Sequence, residues 1–328
     1  MRWLLLIGLI TGIVWGSEAG TQIPVIEVSC PDPSSCLGLL EKAISTAPEG
    51  AVIQLSELSK GIYYEHPLII DKSLTIRGIT YPWNLIKAVD HGYFLTVRSP
   101  GHPITVTLDN LVIQNSLVDV GPWSSWSKEG TGTAILLEGP AEGAPEDLKL
   151  IISDSGIDAS SSSIRMQGKA QLTIRGSELG SKKGLNAEGG GKIILEGNKF
   201  RVEPDWFGMS FSDVEAWLKG NRIFTISHPR PLGIMASGGE YYFIENEMRG
   251  LAMAVGLAGR TNADFRGNRI EGNIKGIVLW LPSCLGPSLT PEFKFEGRIT
   301  GADNLFLYND QDLCPADYPW PPGFVKEP

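Results

Sequence analysis

The side chains best suited to chemistry fall in three short segments. GPWSSWSKEG brings Trp123, Trp126, Lys128 and Glu129; VEPDWF brings Glu203, Asp205 and Trp206; ISHPRP brings His228 and Arg230. Indole faces stack on the apolar faces of sugar rings, while Arg and Asp fix hydroxyl or carboxylate groups, so this combination describes a glycan-binding cleft. The competing reading is structural: Trp123, Trp126 and Trp206 fold back and seal the edge of whatever lies beneath them. Metal chemistry has less to draw on. There are only 4 His, and none is spaced as a zinc partner to a Cys; no CxxC occurs. Met209, Met235 and Met253 are the nearest approach to a copper set, and packing explains them more simply. No metal and no cofactor are expected.

The elements that position these groups follow from a repeat. LTIRGSEL, IILEGNKF, WLKGNRIF, FIENEM and FRGNRI each combine a strand, a polar corner and a further apolar residue. The corner residues Ser177, Asn198, Asn221, Asn246 and Asn268 are separated by steps of 21, 23, 25 and 22 residues. Ser155 precedes Ser177 by 22, and Leu111 lies 44 residues before Ser155, read here as two steps. A second column, Gly184, Gly208, Gly233 and Gly276, opens the runs GLNA, GMSF, GIMA and GIVL, with the AMAV run at Ala252 between the last two.

The leucine-rich pattern is absent. Short strands with period-2 alternation and Gly, Asn or Ser corners are instead the grammar of a parallel β-helix. This accounts for 39 glycines in 328 residues, because tight corners require residues that tolerate positive φ. Stacked coils place Asn198, Asn221, Asn246 and Asn268 in a side-chain ladder. In the Gly184 frame Leu185, Met209, Ile234 and Ile277 point inward, and the outward row reads Leu136, Arg165, Asn186, Ser210, Met235, Ala254 and Val278. Arg165 and Asn186 thereby form the floor of a cleft walled by the tryptophan-bearing loops.

The expected chain is all-β and single-domain, a solenoid of roughly ten coils at about 22 residues each. Residues 1–19 read as an export signal, with Arg2 followed by an apolar run over 4–14 and small residues to Ala19, too short to span a bilayer. Residues 20–50 supply a strand and a capping helix, with Ser35 as its cap and Leu37, Leu40 and Ile44 on one face. The coils occupy 51–281, and 282–328 form a C-terminal cap with a proline-rich tail. Four Cys in an exported chain pair most economically as Cys30–Cys36 and Cys284–Cys314. The net charge of -9 without a basic cluster argues against nucleic acid as a partner, and no transmembrane anchor remains after cleavage.

Residues 41–78, EKAISTAPEGAVIQL followed by GIYYEHPLIIDKSLTIRG, closely resemble the opening of secreted right-handed parallel β-helix proteins. That group includes pectate lyases, pectin methylesterases and the periplasmic accessory proteins of nitrous-oxide reductase. The resemblance covers about 36–281. It implies a helical cap at the front and, in enzymatic members, substrates lying along one strand face and its loops. The enzyme signatures are missing: no paired aspartates of polygalacturonases, no QDT or DFIFG segment of methylesterases, no WxDH of lyases and no DPH of alginate epimerases. His91 and His228 read as ordinary loop residues. Hydrolysis requires two carboxyl groups roughly 5–9.5 Å apart, and the outward row holds none. The leading expectation is a secreted or periplasmic, non-catalytic β-helix that binds a polysaccharide or other cell-envelope component along one face. Two alternatives stay open: a polysaccharide lyase or hydrolase on that face, using Arg165 or Arg230, and a periplasmic metalloenzyme-maturation accessory protein.

Overall fold

The structure, a computed structural model, describes residues 23–29, 38–56, 62–64, 68–79, 85–88, 93–115, 132–140, 148–203, 207–285 and 293–326. Its strands form three parallel ladders, each making one face of a solenoid. The A ladder runs from Val25–Ser29 through Ala51–Ser56, Leu74–Gly78, Ile104–Asp109, Leu148–Ser153 and onward to Arg298–Ala302. The B ladder includes Val112–Asn115, Lys199–Val202, Arg222–Phe224 and Asn304–Leu307. The C ladder includes Tyr93–Arg98, Thr133–Glu138, Lys275–Leu279 and Gln311–Cys314. Each turn visits A, B and C in order, and such parallel crossovers wind right-handed because right-twisted strands pack back only that way. Among the described residues no helix is long and apolar enough to cross a membrane.

Alternation along every strand sends one side chain in and the next out. Ile152, Ile174, Leu195, Leu218, Phe243 and Phe265 stack as an inward A column, all at 0% exposure. Each such burial contributes about 1.5–3 kcal/mol. The column ends at Gly301, where a side chain would collide with Phe324 at 2.6 Å. Phe324 packs edge-on against Phe265 at 5.9 Å and against Trp320 at 5.7 Å, so the tail covers the open end of the core. At the front, the helix Leu39–Thr46 buries Leu40, Ala43 and Ile44. Its first cap is Gly38 in the left-handed region without a side-chain hydrogen bond, while Ser35, Cys36 and Leu37 lie outside the described residues.

The A-to-B corner repeats one conformation. Asn110, Asp154, Gly176, Gly197, Gly220, Glu245, Gly267 and Asp303 all have φ between 48° and 64°, marking about eight turns after the front rungs. The residue after each corner points in, and from Ser155 on these residues are linked. Asn198, Asn221, Asn246 and Asn268 each donate their backbone N–H to the Oδ1 of the next residue, the last reaching Asn304. Each side-chain Nδ2 bonds that same Oδ1 and a carbonyl one turn back. Asn273 and Asn309 repeat the device at the B-to-C corner.

Three expectations need correction. The 44 residues from Thr107 to Ile151 are one turn with a long excursion, since the two are direct register partners. The solenoid also continues past 281: Arg298–Ala302, Asn304–Leu307 and Gln311–Cys314 extend the three ladders in the stretch assigned to the cap. Third, Gly184, Gly208, Gly233 and Gly276 are absent from the positive-φ positions. They are required because a carbonyl oxygen of the next coil lies 2.7, 3.1, 2.4 and 2.2 Å from where their Cβ would be.

Candidate functional site

The C face presents two outward rows. One reads Thr96, Leu136, Arg165, Asn186, Ser210, Met235, Gly256 and Val278. Gly256 therefore stands where Ala254 was expected. Ala254 instead pairs alongside Gly233, and its carbonyl oxygen fills the space a Gly233 side chain would need. The inward assignments of Leu185, Met209, Ile234 and Ile277 match the structure, each at 0% exposure. Met253 does not point in as expected. It joins Val278 and Cys314 in a separate outer cluster with Phe207, Leu232 and Cys284. The thioethers of Met235 and Met253 close over Gly256, and the Cys284–Cys314 disulfide, Cα to Cα 5.8 Å, ties the short helix Pro282–Leu285 to the end of the last C strand beside this cover. The far end of the row is thus sealed; among the described residues the part that keeps some exposure, the open part, runs from Thr96 to Ser210, with Leu136 buried within it.

Arg165 is central to that open part. Its guanidinium, 15% exposed, lies 3.4 Å from the Tyr93 hydroxyl and 3.3 Å from Glu188 Oε1. Gln167 donates to the same carboxylate oxygen at 3.2 Å. Lys183, half-buried on the strand Glu178–Glu188, is a second cation beside it. Burial holds the Lys183 amine below its ordinary pKa, and the Arg165 charge adds to the effect. The floor therefore sets two cations, one of them paired with Glu188, in a partly dried setting, with Asn186 on the next rung.

A second outward row, two residues along each strand, reads Arg98, Glu138, Gln167, Glu188 and Ser212. Glu138 and Glu188 are exposed and two rungs apart, on the order of 10 Å by strand spacing. The expected absence of carboxylates holds for the first row alone. Reading one frame hid Glu138, Gln167 and Glu188, although the two-residue offset in strands of known frame locates them.

The remaining expected residues divide. Trp123, Trp126, Asp205, Trp206, His91 and the Cys30–Cys36 pair lie outside the described residues. The described strands before and after residues 116–131 and 204–206 are a B strand and a C strand in each case. His228 is exposed and precedes a cis proline. Arg230 donates Nη1 to the Gly272 carbonyl at 3.2 Å, toward later turns. It enters the strand bearing Met235, three rungs or about 14 Å from Arg165. Arg165 and Asn186 are brought together; Arg230 is a clip between turns.

No family model matches the chain, and no curated protein matches its sequence. Among solved structures, the pectin methylesterase PemA from Erwinia chrysanthemi superposes with a TM-score of 0.51 at 12% identity, covering 93% of this chain and 92% of that one. The A-module of the Azotobacter vinelandii mannuronan C-5 epimerase AlgE6 gives 0.47 at 16% identity, covering 88% and 94%. The Dettilon tailspike protein gives 0.48 at 11%, covering 85% and 61%. At such identities the methylesterase likeness is one of fold, and it agrees with the three ladders: the chain is a right-handed parallel β-helix protein.

Proposed function

We propose that this chain is an exported β-helix protein that binds an acidic glycan along the open half of the C face, without chemistry of its own. The observation that carries the reading is Arg165, held between Tyr93 and Glu188 with Lys183 and Asn186 beside it on a rigid floor. A guanidinium fixed in this way attracts a uronate carboxylate electrostatically, and its low exposure strengthens that attraction. Backbone-paired strands keep the rungs at a fixed spacing, which suits an extended polymer. The fold shared with a protein named for pectin chemistry accords with a polysaccharide partner, and the Cys284–Cys314 disulfide accords with an oxidising compartment.

One observation favours a second reading. Glu138 and Glu188 flank Gln167 on the same face, two carboxylates at about the widest spacing that inverting hydrolysis uses, and either one can serve as the base of a proton abstraction. The test is a titration of oligogalacturonate into wild type and Arg165→Ala, followed by analysis for unsaturated or reducing-end products. Binding that is lost in Arg165→Ala, with no products formed, supports the binding reading. Turnover abolished in Glu188→Gln or Glu138→Gln replaces it with the enzyme. Oligogalacturonate binding that is unaffected by Arg165→Ala removes the C face from the account.

A further inference from the structure

The A face carries a second constellation, independent of Arg165. Its outward middle row reads Ile194, Trp217, Tyr242, Asp264 and Thr300. Trp217 and Tyr242 stack with ring centroids 3.9 Å apart and planes 16° from parallel. The indole is locked: its Nε1–H donates to Glu215 at 2.7 Å, and Lys192 holds the same carboxylate oxygen at 2.8 Å. One face of Tyr242 is covered by Trp217. The other looks along the solenoid toward the next rung, where the row changes from rings to the short Asp264 and Thr300.

The missing bulk leaves a notch of about 370 Å³ lined by Tyr242, Asp264, Thr300, Asn262, Arg266 and Arg298. Its polar groups are set before any ligand arrives. Asp264 accepts from Thr300 Oγ1 at 2.8 Å and from Arg266 Nε at 2.7 Å. Asn262 donates to Glu240 at 2.8 Å and accepts the Arg298 N–H at 3.1 Å. Each Asp264 oxygen keeps a further lone pair, and the Arg298 guanidinium makes no ion pair among the described residues. Two carboxylates, Glu240 and Asp264, balance two guanidiniums, Arg266 and Arg298, so the notch has no net charge to select an ion.

We infer that this notch is a subsite for one neutral pyranose ring, which takes the place of the next aromatic in the stack. Its C–H face lies on Tyr242, and its hydroxyls bridge Asp264 and Arg298. An apolar ring face over an aromatic with flanking carboxylate and guanidinium is the chemistry that recognises sugars rather than free anions. The subsite lies on a different face from Arg165 and takes a different class of sugar, so the two readings fail separately.

Asp264→Tyr tests the inference, because a third ring continues the Trp217–Tyr242 stack and fills the notch while leaving the core untouched. Saturation-transfer NMR and calorimetry with cellohexaose, mannohexaose and galactohexaose are run on wild type, Asp264→Tyr, Tyr242→Ala and Arg165→Ala. The expected result is binding of a neutral hexaose by wild type and Arg165→Ala, weakened about tenfold or more in Asp264→Tyr and Tyr242→Ala. Circular dichroism confirms folding of each variant. Wild type that binds none of the three hexaoses overturns the inference. So does neutral binding that persists in a folded Asp264→Tyr protein, and so does neutral binding lost only in Arg165→Ala.

Discussion

Replacing Asn221 by alanine tests whether the corner ladder holds the turns together. Asn221 is 1% exposed and uses its whole amide. Oδ1 accepts the Asn198 backbone N–H and Nδ2, both at 3.0 Å; Nδ2 donates to the Leu195 carbonyl at 2.9 Å and to Asn246 Oδ1 at 3.0 Å. After truncation the Asn198 Nδ2 keeps the Ile174 carbonyl, and Asn246 Oδ1 keeps the residue-221 backbone N–H. The Asn198 N–H is left with no acceptor, and the Leu195 carbonyl loses a donor. A buried unsatisfied group costs about 1–3 kcal/mol, so the pair comes to about 3 kcal/mol. Asn221→Ser is the graded control. A serine occupies the same column at Ser177, where its hydroxyl accepts the Ser155 N–H at 3.1 Å. It therefore rescues the Asn198 N–H but not Leu195, for a loss of about 1 kcal/mol. Guanidinium unfolding followed by far-UV circular dichroism and tryptophan fluorescence measures both variants, and coincident curves verify a single transition in a fold that is able to unfold stepwise. A loss below about 1 kcal/mol for Asn221→Ala, or a serine variant no better than alanine, refutes the reasoning.

Other outcomes follow from single features. Glu245 has φ 54° at a corner where four of the other turns use glycine; relief of a left-handed cost of about 1–2 kcal/mol, less about 0.4–1 kcal/mol of extra chain entropy, makes Glu245→Gly more stable by about 0.5–1 kcal/mol in the same denaturant assay. Removing the Cys284–Cys314 bridge by the double serine variant opens a 30-residue loop and costs on the order of 3–4 kcal/mol, seen as a lowered Tm and easier proteolysis near the outer Met253 cluster. Burial raises the Asp158 carboxyl above its ordinary 3.8, with Arg201 opposing the shift. A raised carboxyl favours the folded state fully below 3.8, and that contribution is lost as pH rises through the raised value, so the Tm of wild type relative to Asp158→Asn is highest at low pH and falls as pH increases. Arg165→Gln removes a neighbouring charge and moves the Lys183 amine upward, which a side-chain NMR titration detects.

Much of the architecture is legible in the residues themselves. Corner residues at steps of 21 to 25, inward apolar positions every second residue and glycines in a fixed column are local signals, repeated often enough to define a parallel stack and its asparagine ladder. The inward places of Leu185, Met209 and Ile234 follow from the same alternation. Excursions of unequal length are where that reading slips. The 44-residue interval at Thr107 is one turn, because a loop adds residues without adding a rung. The frame at the AMAV run slips by two residues for a related reason, so that Gly256 takes the outward place expected of Ala254: which residue sits beside Gly233 is decided by the close approach of two backbones.

The floor around Arg165 divides the same way. The frame alone puts Arg165 and Asn186 side by side. Tyr93 reaches Arg165 across 72 residues, and Arg230 is drawn off to Gly272 across 42. The notch beyond Tyr242 exists because a ring on one turn meets an aspartate on the next, 22 residues away. Within a strand of known frame, one-dimensional spacing determines what lies in and what lies out, since that depends on the strand's period of two; where the frame slips, as at Met253, the packed stack decides. Which outward side chains touch depends on register between turns, and register is an energy of the packed stack that no single turn carries.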